Sequence, residues 1–172
     1  MATTLVSVEE YLRNLNDTRC EYVDGVLIEK PMPTWMHAVL QVWISALIMR
    51  HYPKYVAGGE VHSKLGPNEF RLPDIAVQRR EIAEKERYAE QPPAVCVEIL
   101  SPEDRIGGIF AKCERYHDWG VPVCWVIDPI KRRAWSYERG GEPAPQTDVL
   151  VASDIRLSLV EVFSILDGQQ TS

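Results

Sequence analysis

The sequence predicts an α/β domain in which a mixed β-sheet is flanked by helices. Two runs, residues 94–100 and 121–127, are almost continuously apolar and β-prone, as strands covered on both faces should be. Between them, residues 105–119 carry apolar side chains at helical spacing, so strand, helix and strand form a crossover unit within one sheet. No internal stretch of the 172 residues reads as a linker, and that length suits a single core.

The remaining elements follow in order. Ser7-Val8-Glu9-Glu10 has the Ser-x-x-Glu form of a capping box, which predicts a short helix over residues 8–15. Asp24-Gly25 lies between two short β-prone runs, 20–23 and 26–29, the signature of a two-residue hairpin in which Val23 opposes Val26 and Glu21 opposes Ile28. After Pro31 and Pro33, Thr34 can cap a helix reaching His51, with His37, Leu40, Ile44, Leu47, Ile48 and His51 on one stripe. Extended segments are expected over 55–64 and 69–78, with Gly66-Pro67-Asn68 turning between them. Residues 79–91 are charged and suit a loop or a short surface helix. Residues 134–138 read as an edge strand, 140–145 as a loop, and 159–166 as a terminal helix after one or two short strands.

Composition excludes several functions. The formal net charge is −6, which argues against broad nonspecific nucleic-acid binding, although Arg79-Arg80 and Lys131-Arg132-Arg133 are local basic strips. The N-terminus lacks the basic start and apolar core of a signal peptide, and no apolar run is long enough to span a membrane, so the expected location is the cytoplasm with no membrane partner. Cys20, Cys96, Cys113 and Cys124 stand singly and read as reduced residues rather than zinc ligands or disulfides.

The candidate chemistry lies in charges on apolar strands. Asp74 follows Leu72-Pro73 and precedes Ile75-Ala76-Val77, and Glu98 sits within Val95-Cys96-Val97-Glu98-Ile99-Leu100. A carboxylate in such a setting is costly unless a metal, a cation or hydrogen bonds compensate it. Two on neighbouring strands suggest a site for a hard divalent cation. Lys112 lies at the edge of the apolar stripe of the following helix, so its stem can run along the core while its ammonium reaches the carboxylates. Glu21, facing apolar neighbours in the hairpin, could complete the site, and His37 could assist by hydrogen bonding. Each has an ordinary alternative: a carboxylate paired with Lys or Arg, a boundary lysine, a core histidine.

Taken in order, these motifs resemble a known family. Glu21-x-x-Asp24-Gly25, His37 on a helix, Pro73-Asp74, Val97-Glu98-Ile99-Leu100-Ser101-Pro102, Lys112-x-x-x-Tyr116, Gly120-Val121 and Trp125-Val126-Ile127-Asp128-Pro129 resemble the Uma-type restriction endonuclease family, a branch of the PD-(D/E)XK nucleases, over residues 8–166. The resemblance implies one restriction endonuclease-like domain over residues 1–172. It implies a Mg²⁺-dependent endonuclease, with Mn²⁺ as a possible substitute, acting on nucleic acid and on DNA in particular. Asp74, Glu98, the Ile99 carbonyl and Glu21 would hold metal, and Asp74, Glu98, Lys112, Glu21 and His37 would form the catalytic set. The strand lysine expected two residues after Glu98 is replaced by Leu100, and Lys112 stands in for it.

Two rival readings stay open on the sequence. One is a nucleic-acid-binding or regulatory protein that keeps the nuclease fold with weak or no turnover. The other is an interaction protein with structural carboxylates. For the latter, an exposed edge at residues 134–138 could pair two copies into a homodimer.

Overall fold

The computed structural model describes residues 5–168. In chain order the elements are α1 (Val8–Arg13), a short 3₁₀ turn (Leu15–Asp17), β1 (Cys20–Val23), β2 (Val26–Glu29), α2 (Trp35–His51), β3 (Tyr55–Gly59), β4 (Ser63–Gly66) and β5 (Glu69–Arg71). There follow β6 (Ile75–Arg79), α3 (Arg80–Ala83), β7 (Val95–Ile99), α4 (Ile106–Trp119), β8 (Val123–Asp128), β9 (Arg133–Glu138), β10 (Ala144–Gln146), β11 (Val149–Ala152), β12 (Ile155–Ser158) and α5 (Leu159–Ser164).

Local signals account for the element ends. Ser7, Thr34 and Ser158 each cap a helix by accepting a backbone N–H three residues on. The β1–β2 turn needs positive φ at both central residues, and Asp24 (47°) and Gly25 (89°) supply it in the expected register. Gly120, at φ 123°, ends α4 and lets the chain reverse into β8.

Among the described residues the strands form three sheets, the largest of them the mixed sheet expected. A six-stranded sheet runs β10-β9-β8-β7-β6-β3, a four-stranded sheet runs β2-β1-β5-β4, and β11 pairs with β12. Among the described strands only β7 and β8 pair in parallel, joined by the α4 crossover. One face of the six-stranded sheet buries Val95, Val97, Ile99, Trp125 and Ile127 with Leu40, Ile44 and Ile48 of α2. The other buries Cys96, Cys124 and Val126 with Cys113 and Tyr116 of α4. Tyr11, Leu15, Tyr22 and Phe70 form a separate aromatic cluster under the four-stranded sheet.

The residues expected to form one strand over 69–78 divide between the two larger sheets. Pro73 has no N–H to give a ladder, so the chain leaves β5 and enters β6 through Leu72, Pro73 and Asp74. The freed backbone groups find other partners: Leu72 N donates to Glu21 (3.1 Å), Lys30 Nζ donates to Leu72 O (2.8 Å), and Gln41 Nε2 donates to Asp74 O (2.8 Å). Asp74 therefore precedes β6 instead of lying within it. This handover carries the candidate site.

Other expectations change for similar tertiary reasons. Residues 55–64 also split, β3 and β4 belonging to different sheets. Strand β9 is not an edge, because β10 forms within the expected 140–145 loop and pairs with it; a homodimer through residues 134–138 loses its surface. His51, in the last turn of α2, is exposed and lies 3.5 Å from Glu161 instead of in the core. No helix among the described residues is long and apolar enough to cross a membrane.

Candidate active site

The parallel strands β7 and β8 end side by side, and the chain beyond β7 stays beside β8 through Leu100 N donating to Ile127 O (2.8 Å). In open α/β sheets, ligands bind beyond such carboxyl ends, where the topology changes. Here a cavity of about 140 Å³ opens, lined by Glu21, His37, Asp74, Glu98, Ile99 and Lys112 among others. All residues expected for the site thus reach one cavity, from β1, α2, the β5–β6 handover, β7 and α4.

Glu98 is buried on the α4 face of β7, as alternation from Cys96 and Leu100 requires. Its Oε1 accepts from Tyr116 Oη (2.7 Å) and from Lys112 Nζ (3.1 Å). Its Oε2 receives no hydrogen bond among the described residues. Burial pushes the Glu98 carboxyl up; Lys112 pulls it down, the Asp74 charge adds to the rise, and the net direction is upward.

Lys112 Nζ also lies 2.8 Å from Glu21 Oε1. Burial alone would lower the ammonium's pKa, but the charges of Glu98 and Glu21 outweigh it and hold Lys112 well above the ordinary lysine range. The two carboxylates thus favour the ammonium form, and a cation placed there can orient a water or stabilise an oxyanion.

Glu21 meets donors on both oxygens. Oε1 takes Lys112 and the Leu72 N–H, and Oε2 takes Arg71 Nη1 at 3.0 Å. Burial raises its carboxyl, and Lys112, the Leu72 N–H and Arg71 together bring it below the usual glutamate value. Both Glu21 oxygens are thus engaged by donors, and one of them holds Lys112.

Asp74 is engaged still more fully. Oδ1 accepts from Lys30 Nζ at 2.7 Å, and Oδ2 accepts from the Ile99 N–H at 2.7 Å and lies 3.1 Å from His37 Nε2. Burial raises its carboxyl, but His37, Lys30 and the Ile99 N–H hold it far below the ordinary aspartate range. Lys30 is the site residue the sequence reading missed. It follows β2 among polar and proline residues, where no periodicity marks it, and only the folded hairpin carries it to Asp74. Gln41 on α2 and Arg71 on β5 were missed as well, because polar residues within a helix and a strand give no sign of the tertiary partners they reach.

The donor set suits a hard cation. No cluster of three His, Cys, Asp or Glu closes into a coordination shell among the described residues. Mg²⁺, however, needs only one or two carboxylates besides water and phosphate. The cavity wall carries six carboxylates (Glu21, Glu29, Glu60, Asp74, Glu98, Asp104) against three fixed cations (Arg19, Lys30, Lys112), so its field draws positive charge. Glu98, whose Oε2 accepts no hydrogen bond among the described residues, lines this cavity with Asp74 and Ile99. The residues fit a divalent ion of this kind.

Comparison with known proteins bears on the family and the fold. The family model described as "Uma2: Putative restriction endonuclease" matches residues 8–166. A solved structure described as "a putative nuclease belonging to DUF820 from Anabaena variabilis ATCC 29413" superposes with a TM-score of 0.76 at 26% identity, covering 94% of this chain and 99% of that one. Among curated proteins, none matches.

Proposed function

The chain belongs to the Uma2 family of restriction endonuclease-like proteins, and from that premise we propose that it is a divalent-metal-dependent endonuclease hydrolysing DNA phosphodiester bonds. The observation that carries the reading is the convergence of Asp74, Glu98 and Lys112 on one cavity, with Lys112 held 3.1 Å from Glu98. Asp74, Glu98 Oε2 and the Ile99 carbonyl would hold the ion, Mg²⁺ or Mn²⁺. The chemistry a bound divalent cation supplies in such a site is polarisation of the scissile phosphate and acidification of a water.

This chain's own residues do the rest. Lys112 donates to the attacking water or to a phosphate oxygen, and the charge it presents is fixed by Glu98 and Glu21. Glu21 keeps the ammonium in place. Tyr116 fixes the Glu98 carboxylate, leaving Oε2 directed to the ion. His37 holds Asp74 in orientation.

One feature of the site favours a second reading, a nucleic-acid-binding protein with little turnover. Lys30 already occupies Asp74 Oδ1, the oxygen a metal would otherwise take. Plasmid nicking in Mg²⁺ or Mn²⁺ separates the two. The nuclease reading expects cleavage by wild type and losses of about 10²–10³-fold in Asp74→Ala and Lys112→Ala. Equal cleavage by all three proteins removes the assignment. DNA binding without cleavage selects the second reading.

A further inference from the structure

Resting on the nuclease reading, we infer that a basic trough at the β8–β9 turn, built around Lys131 and Arg133, carries the phosphate backbone of the DNA next to the bond that is cut.

The cavity holding Asp74 and Glu98 does not end at the carboxylates. It shares Ser101 and Asp104 with a second cavity of about 400 Å³ whose wall includes Ile130, Lys131, Arg133 and Trp135. The two are joined because their walls come from the same end of the sheet: the segment after β7 on one side and the turn after β8 on the other. A ligand in the first cavity therefore has a continuous surface leading onto the turn.

The turn is built to display its cations. Asp128 Oδ1 accepts from both Ile130 N and Lys131 N at 3.0 Å, which closes the turn and uses up that oxygen. Arg132 takes a positive φ of 53°, reversing the chain between Lys131 and Arg133. Arg132 itself is tied down, pairing with Asp167 at 2.8 Å and donating to Phe163 O at 3.0 Å. Lys131 and Arg133 are exposed and make no ion pair among the described residues. Asp104, at the junction, is tied back too, its Oδ2 accepting from Ser101 N at 2.7 Å. Behind the cations, half-buried Trp135 packs edge-on against Phe110, with ring centroids 6.1 Å apart, and gives the trough a firm floor.

The charge distribution identifies the occupant. A wall rich in carboxylates, which attracts a metal ion, adjoins a wall with two unpaired cations. A polyanion with regularly spaced phosphates satisfies both, one phosphate at the ion and its neighbours on Lys131 and Arg133.

The test is fluorescence anisotropy of a labelled DNA duplex in Ca²⁺ across a KCl series. Wild type, Lys131→Ala/Arg133→Ala, the charge-preserving Lys131→Arg/Arg133→Lys and the remote surface control Arg139→Ala are compared. Loss of two phosphate contacts should weaken binding about tenfold and make the log–log salt slope shallower by about two. The charge-preserving pair and Arg139→Ala should keep the wild-type slope. If the alanine pair binds with wild-type affinity and slope while wild type nicks plasmid, the trough assignment fails and the nuclease reading survives. If wild type, folded by its melting curve, binds no DNA at any salt, both fall together.

Discussion

At the scale of single residues, Lys112 decides the site. Removing its ammonium leaves Glu98 and Glu21 buried without their shared cation, which should cost about 3–5 kcal/mol of stability besides activity. Lys112→Met should therefore lower the melting temperature, and Glu21→Gln/Lys112→Met should recover part of the loss, as a thermal double-mutant cycle would reveal. Lys30 makes the opposite prediction. Because it competes for Asp74 Oδ1, Lys30→Met should tighten Mn²⁺ binding, read by calorimetry. Weaker binding would show that Lys30 supports the ion site instead. The sequence disclosed Lys112 through its place on an amphipathic helix following the Glu98 strand. It gave no signal for Lys30, because what brings that side chain to Asp74 is the angle of a hairpin, and no periodicity records an angle.

At the scale of elements, the handover from β5 to β6 places Asp74, and the pairs around Glu69 tie that region to α4. Glu69 lies 2.9 Å from Arg71 Nε, and Arg115 of α4 reaches it as well. Burial raises the Glu69 carboxyl, and Arg115 and Arg71 bring it below its ordinary value of about 4.5. A carboxyl with a depressed folded-state pKa stabilises the fold above its unfolded value and loses that contribution as pH falls through the folded value. Melting temperature should thus decline below about pH 4.5 in wild type, and decline less steeply in Glu69→Gln. An unchanged acid slope would mean that the pairs contribute nothing. Helix ends and the β1–β2 turn were legible because capping residues and Asp24-Gly25 act locally. The division of residues 55–64 and 69–78 between two sheets was not, since strand propensity says nothing about which partner a strand finds.

At the scale of the whole molecule, the six-stranded sheet presents the ends of β7 and β8 as a rigid platform between two cores. Trp125, fully buried in the core on the α2 face, belongs to that platform. Trp125→Ala should destabilise the protein by about 3–5 kcal/mol and reduce activity only through loss of folded protein. Architecture at this level was readable because the two apolar strands and their crossover helix are the longest, most periodic signals in the chain. The most direct test of the central claim is the single-turnover rate of DNA cleavage against Mn²⁺ concentration, for wild type and Glu98→Gln. A rate that saturates with metal in wild type and drops about 10²–10³-fold in the variant is the predicted result. Cleavage at equal, metal-independent rates in both proteins would contradict it.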